Sequence, residues 1–104
     1  MKDLFVPLKT EYWNAFVYGD KRDELRLYGK RWNEKTCVIG RGFVLSKGYG
    51  KANRVRTEIT AFKKQRGNTF GSTYKASIEK LYGSLDVDIA VISVNKELIT
   101  NSSR

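Results

Sequence analysis

A chain of 104 residues, 40% apolar and 12% aromatic, has the size and apolar content of one small hydrophobic core and is too apolar for a disordered chain. It carries 20 Lys and Arg against 11 Asp and Glu, a net charge of +9, with no histidine and a single cysteine, Cys37. These totals exclude a histidine proton shuttle, a Ser–His or Cys–His catalytic pair, an intrachain disulfide and a zinc cluster.

"DLFVPL" (residues 3–8) reads as a short strand, with Pro7 tolerable near a strand end or sheet edge. "KTEYWNAFVYGD" follows as a helix: Thr10 is its expected N-cap, and Tyr12, Trp13, Phe16 and Val17 share one helical face. Gly19 stops it. In "RDELRLY" the period changes to two, so Glu24 and Arg26 share a strand face. "EKTCVIGRGFVLS" (residues 34–46) is rich in strand formers, and Gly40 and Gly42 inside it suggest a bulge or barrel corner. Cys37 in this run is expected to be buried and inert.

"SKGYGKANR" is a glycine-containing loop. "RVRTEITAF" then alternates, with Val55, Thr57, Ile59 and Ala61 packed and Arg54, Arg56, Glu58 and Thr60 wet. "KKQRGNTFGS" reads as a basic loop carrying Lys63, Lys64 and Arg66. "STYKASIEKLYG" is a helix capped by Ser72 or Thr73, with Tyr74, Ile78, Leu81 and Tyr82 as its apolar stripe and Gly83 as its stop. "DVDIAVISV" is a central strand, and residues 99–104 form a tail expected to fray. The order β-α-β-β-β-α-β predicts an α+β fold: one domain over 1–104, a small mixed β-barrel of five or six strands flanked by two or three short helices. No run approaches the ~18 apolar residues of a membrane span, and the first apolar run is too short for a signal peptide. A cytoplasmic protein that does not meet a membrane is the expectation.

Charge is unevenly distributed. Residues 41–66 hold 8 basic groups and only Glu58, whereas residues 1–40 hold 8 basic and 6 acidic and residues 67–104 hold 4 of each. A basic segment of this kind is the footprint of a polyanion partner, against the alternative of charge that only aids solubility. Within it, "LSKGYGKANRVR" offers Ser46, Lys47, Tyr49, Lys51, Arg54 and Arg56: cations for phosphate, glycines for close backbone approach and a ring on which a base can stack. The same loop also reads as an ordinary hairpin with solvated lysines. It is not a Walker loop. A second cluster, Lys21, Glu24 and Arg26, follows Gly19. A desolvated lysine beside a carboxylate can move protons, and a carboxylate held by arginine can accept from a base amine. Spacing alone equally allows a surface salt-bridge cluster.

The order of elements, with Gly19, Lys21, Glu24 and Arg26 forming G-x-K-x-x-E-x-R in "GDKRDELR" directly after the first helix, resembles the ASCH domain family of the PUA-like superfamily. "GRGFVLSKGYGKANRVR" is similar to the segment leading through that family's barrel strands, and "LYGKRW" and "LSKGYGK" are similar to compact phage and prophage members. The resemblance covers nearly the whole chain. It implies a barrel with a cleft beside the motif, and binding of RNA or modified nucleosides with Lys21 and Glu24 lining the cleft. One bacterial branch deacetylates N4-acetylcytidine with a lysine, a threonine and a glutamate. Lys21 matches the lysine, Glu24 occupies the threonine's position, and "RGNTFGSTY" holds no glutamate for the third role. Other members are ribonucleases, a chemistry for which Lys21, Tyr49 and Lys51 are loose matches.

The leading expectation is therefore an ASCH-like domain binding RNA or a nucleotide, without cofactor or metal. Lys21 and Glu24 are its central residues, and Arg26, Ser46, Lys47, Tyr49, Lys51, Arg54 and Arg56 are its ligand contacts. The alternative is a nucleoside amidohydrolase or ribonuclease using Lys21 with Glu24. A third reading is a phage-encoded interaction module whose basic face meets an acidic protein. Geometrically, Glu24 and Arg26 should project from one strand face, the Lys21 ammonium should lie close to the Glu24 carboxylate, and Tyr49 should border the same opening.

Overall fold

A computed structural model describes the backbone of residues 1–102 and the side chains of residues 1–99. In chain order the elements are β1 (Leu4–Leu8), α1 (Thr10–Val17), β2 (Asp23–Leu27), β3 (Gly42–Lys47), β4 (Arg54–Arg66), α2 (Ser72–Tyr82), β5 (Asp88–Val94) and α3 (Lys96–Ser102), with a single 3-10 turn at Gly67–Thr69. The five strands form one sheet in the order β1-β3-β4-β5-β2. β1 runs parallel to β3 and every other pairing is antiparallel. The sheet is mixed and curls into a half-barrel, an α+β architecture consistent with a small PUA-like barrel.

Period-two burial builds the core. Leu4, Val6 and Leu8 of β1, Phe43 and Leu45 of β3, Val55 and Ile59 of β4 and Ala90, Ile92 and Val94 of β5 meet Trp13, Phe16 and Val17 of α1 inside the curl. On the other face of β5, Ile89 and Val91 pack with Ile78 of α2 and Leu25 of β2. β5 is thus covered on both faces, which is why "DIAVISV" reads as nearly continuous apolar sequence.

Several expectations need correction. Residues 34–46 are not one strand. Asn33 organises a turn: its Oδ1 accepts from the Lys35 and Thr36 N–H groups (2.8 and 3.1 Å) and its Nδ2 donates to the Gly29 carbonyl (2.7 Å). The local side-chain bonds outcompete a ladder. Gly40 then takes φ 91°, and the strand begins only at Gly42. Trp32 and Cys37 anchor this loop in the core, Cys37 being buried as expected.

β4 runs on through Lys63, Lys64 and Arg66, which are strand residues, because its second half pairs with β5 while its first half pairs with β3. An irregularity between Ile59 and Ala61 at this changeover turns Ala61 outward and Phe62 inward. The helix N-caps are Lys9 and Gly71, one residue before the expected Thr10 and Ser72. The segment expected to fray from residue 99 is instead helical to Ser102, with Ile99 fully buried against the core; residues 103–104 lie outside the described residues. Among the described residues no helix is long and apolar enough to cross a membrane.

Candidate functional site

β1 and β2 are the two edges of the sheet, and the curl brings them face to face. Arg26 closes the gap: its Nη2 donates to the Pro7 carbonyl (2.9 Å), and its Nε donates to Glu24 Oε2 (2.7 Å). In an extended strand a residue's N–H and C=O point the same way, so Pro7 turns its missing N–H toward this seam and sacrifices no ladder bond. Glu24 and Arg26 share the core-facing side of β2, opposite Ile92 and Ala90 of β5. Their period-two spacing is what aims both at one place.

Gly19 delivers the third residue. A Cβ there would lie 2.8 Å from the Ala15 carbonyl oxygen, so only glycine lets the chain pass this close to α1. Beyond it the Lys21 N–H donates to that same carbonyl (3.1 Å). The Lys21 ammonium lies 5.7 Å from the Tyr12 ring centroid and 5.2 Å from that of Phe16, within cation–π range. The expected Lys21–Glu24 ion pair is replaced: the carboxylate pairs with Arg26, while Lys21 rests on aromatic faces.

Lys21, Glu24 and Arg26 line one cleft of about 240 Å³. Its walls are Pro7, Leu8 and Tyr12 on one side and Tyr74, Ile78, Leu81 and Tyr82 of α2 on the other. Tyr74 and Leu81 belong to the apolar stripe of α2, yet each is about half exposed, because Ile78 and Tyr82 are the members of that stripe that pack toward the sheet. Tyr12, Tyr74, Leu81 and Tyr82 line the cleft and were not singled out as cleft residues by sequence reasoning. Their apolar stripe was visible, but whether it faces a core or a cleft depends on how far α2 stands from β2.

Burial sets the electrostatics. Glu24 is 6% exposed, and desolvation pushes its carboxyl above the usual range, against the opposing pull of Arg26 and Lys21. Lys21 is half-buried, and burial lowers its ammonium pKa, opposed by Glu24 and Asp23. Tyr82 is raised by burial as well. Opposed shifts of an acid and a base within one cleft are a pattern common at functional sites.

The "SKGYGK" loop contributes unevenly. Lys47 and Tyr49 line a shallow basin that adjoins the cleft and shares Pro7, Leu8, Lys9 and Arg26 with it. Ser46 is fully buried and its Oγ donates to the Gly50 carbonyl (3.3 Å), so it shapes the loop and does not face a ligand. Arg54 donates to the Gly50 and Tyr49 carbonyls (3.2 and 3.3 Å) and stacks 4.8 Å from the Phe5 ring centroid. Arg56 is paired with Asp3 and Glu58 on the outer face of the sheet. Lys51 is exposed in the loop. Arg54, Arg56 and Lys51 line neither the cleft nor the basin.

No protein-family model and no curated protein sequence matches the chain. Among solved structures, the crystal structure of a mutant form of ZmASCH from Zymomonas mobilis is similar, with a TM-score of 0.65 and 15% sequence identity over 91% of this chain and 70% of that one. At this identity the likeness carries the fold. The five-stranded half-barrel shares the fold of that ASCH protein.

Proposed function

We propose that the cleft binds one nucleotide unit of RNA. The observation that carries this reading is the cleft's composition: a buried carboxylate clamped by arginine lies at the base of a slot walled by Tyr12, Tyr74 and Tyr82, with Lys21 at its side. Tyrosine faces suit a flat aromatic ring, and a clamped carboxylate suits the exocyclic amine of a base. At about 240 Å³ the slot is smaller than the roughly 300–1,000 Å³ of ordinary ligand pockets, a size for a single ring system and not for a large cofactor. Lys47 and Lys9 extend the positive rim, and Tyr49 adds an aromatic face to it.

Titration of labelled single-stranded RNA at two salt concentrations tests it. Affinity should fall as salt rises, and Lys21→Ala and Glu24→Gln should each weaken binding. Binding indifferent to salt, or unchanged in both variants, overturns the assignment.

A second reading, a nucleoside amidohydrolase or ribonuclease, draws on one observation: burial lowers the Lys21 pKa beside Glu24, which increases the fraction of lysine able to accept a proton. Turnover of acetylated nucleosides or short RNAs that disappears in Lys21→Ala would support it. Turnover surviving that substitution removes this site from the chemistry.

A further inference from the structure

The cleft and its neighbouring basin differ in charge, and the difference bears on what a ligand must contain. The cleft is lined by Lys9, Lys21 and Arg26 and also by a carboxylate, Glu24, at its base. The basin is lined by Pro7, Leu8, Lys9, Thr10, Arg26, Lys47, Gly48 and Tyr49, which include three cations and no acid. A phosphate is repelled by Glu24 and attracted to the basin, while a neutral base with amine donors is suited to the cleft.

Tyr49 is 79% exposed, so its ring face is open to a stacking base. Its position is fixed from below. The Phe5 ring lies 6.1 Å from it, centroid to centroid, and Arg54 stacks on Phe5 while its guanidinium holds the Tyr49 and Gly50 carbonyls. Ser46 Oγ adds a third bond to the Gly50 carbonyl. The loop is thus braced with its ring turned outward, so little ordering entropy remains to be lost when a base stacks on it. Arg26, on the sill between the two depressions, belongs to both.

We infer that the site is built for an oligonucleotide of at least two residues: one base in the cleft, the adjoining phosphodiester over Lys9 and Lys47, and the neighbouring base on Tyr49. This rests on the nucleotide-binding reading of the cleft and extends its ligand from one nucleotide unit to two or more joined by a phosphodiester.

The test compares nucleosides with the dinucleoside monophosphates of the same four bases, followed by calorimetry and by amide chemical shifts of the whole protein. The best dinucleoside monophosphate should bind about tenfold or more tightly than its nucleoside, the lower part of what one stacked base contributes. Lys47→Ala and Tyr49→Ala should each remove most of that advantage, lowering dinucleotide affinity several-fold more than nucleoside affinity, with the thermal midpoint as a check on folding. Glu24→Gln should weaken both ligands. Gly48, Tyr49 and Gly50 amides should shift with the dinucleotide and not with the nucleoside. Equal affinities, with no effect of Lys47→Ala or Tyr49→Ala, overturn the inference and leave the cleft reading standing. No binding of either ligand class overturns both.

Discussion

Two charged regions of this molecule use the same residue types to opposite effect. At the β4–β5 edge, Arg66 pairs with Asp86 and Asp88, and Lys64 lies 3.8 Å from Asp88. On the outer face Arg56 holds Asp3 and Glu58. These side chains are 38–80% exposed, and the hydrogen bonds that Arg56 and Arg66 donate to these acids push their pKa values further up. Water does most of the work of solvating them, so each pair contributes little to stability. In the cleft, burial wins over pairing: Glu24 moves up and Lys21 down, each toward its neutral form. Pairing at a surface confirms charges, whereas burial beside incomplete pairing makes them adjustable.

The comparison also revises the basic segment. Residues 41–66 hold 8 basic groups and one acid, Glu58, which meets Arg56; the other acids that meet Arg56, Lys64 and Arg66 are Asp3, Asp86 and Asp88, far away in sequence. Arg54 is engaged by backbone carbonyls. A polyanion footprint read from that segment as a block is therefore narrower than its charge count, and Lys47 is the member of the segment that reaches the basin beside the cleft.

The sharpest way to break the comparison is to remove Arg26. Arg26→Ala leaves the Glu24 carboxylate buried without its partner and unlinks β2 from the Pro7 carbonyl. Urea unfolding should show a loss of about 3 kcal/mol, the low end for breaking a buried pair because the Arg26 side chain keeps 24% exposure. A loss no greater than that of Arg56→Ala would place the cleft pair in the same class as the surface pairs.

Gly19→Ala should rank next. Its Cβ would stand 2.8 Å from a backbone oxygen of α1, so the turn that delivers Lys21 must shift. The expected cost is roughly 1–3 kcal/mol, measurable as a lowered thermal midpoint, with RNA affinity falling alongside. Gly42→Ala is a useful contrast. There the clash is with the ends of the Asp3 and Arg56 side chains, which can swing into water, so only that exposed pair is lost.

Glu24→Gln sharpens the electrostatic half of the comparison. The folded carboxyl has a raised pKa, so the folded state binds more protons than the unfolded state above the ordinary value of 4.5. Stability of the native chain should therefore fall as pH rises from about that value through the folded pKa of Glu24, and then level off. The glutamine variant lacks this loss, so its stability relative to the native chain should climb across the same window in pH-dependent unfolding. The opposite slope would mean that Arg26 and Lys21 outweigh burial.

The smallest effect is expected from the surface. Arg56→Ala should cost under about 1 kcal/mol at moderate salt and less as salt is raised. A salt-insensitive loss of several times that size would show that outer-face pairs contribute through packing.

The sequence by itself determined what neighbours within a few residues decide. Tyr12, Trp13, Phe16 and Val17 specify α1, "DIAVISV" specifies β5, and period two puts Glu24 and Arg26 on one side of β2, because helix and strand periodicities are properties of adjacent positions. The G-x-K-x-x-E-x-R spacing marks a turn that leads into the cleft because the Gly19 approach and the Lys21 N–H bond are both made to α1, immediately upstream. Tertiary structure decided the rest. β4 extends through Lys63 to Arg66 because β5 pairs with it, and residues 34–40 form a loop because the Asn33 bonds and the buried Trp32 and Cys37 hold them off the sheet. Tyr74 and Leu81 line a cleft because α2 meets the sheet through Ile78 and Tyr82 and leaves them outside that contact, and Arg26 pairs with Glu24 while Lys21 turns to aromatic rings because the curl brings Pro7 to the seam. Charge pairing and closure of a cleft depend on groups tens of residues apart, and a local pattern carries no record of which of them will meet.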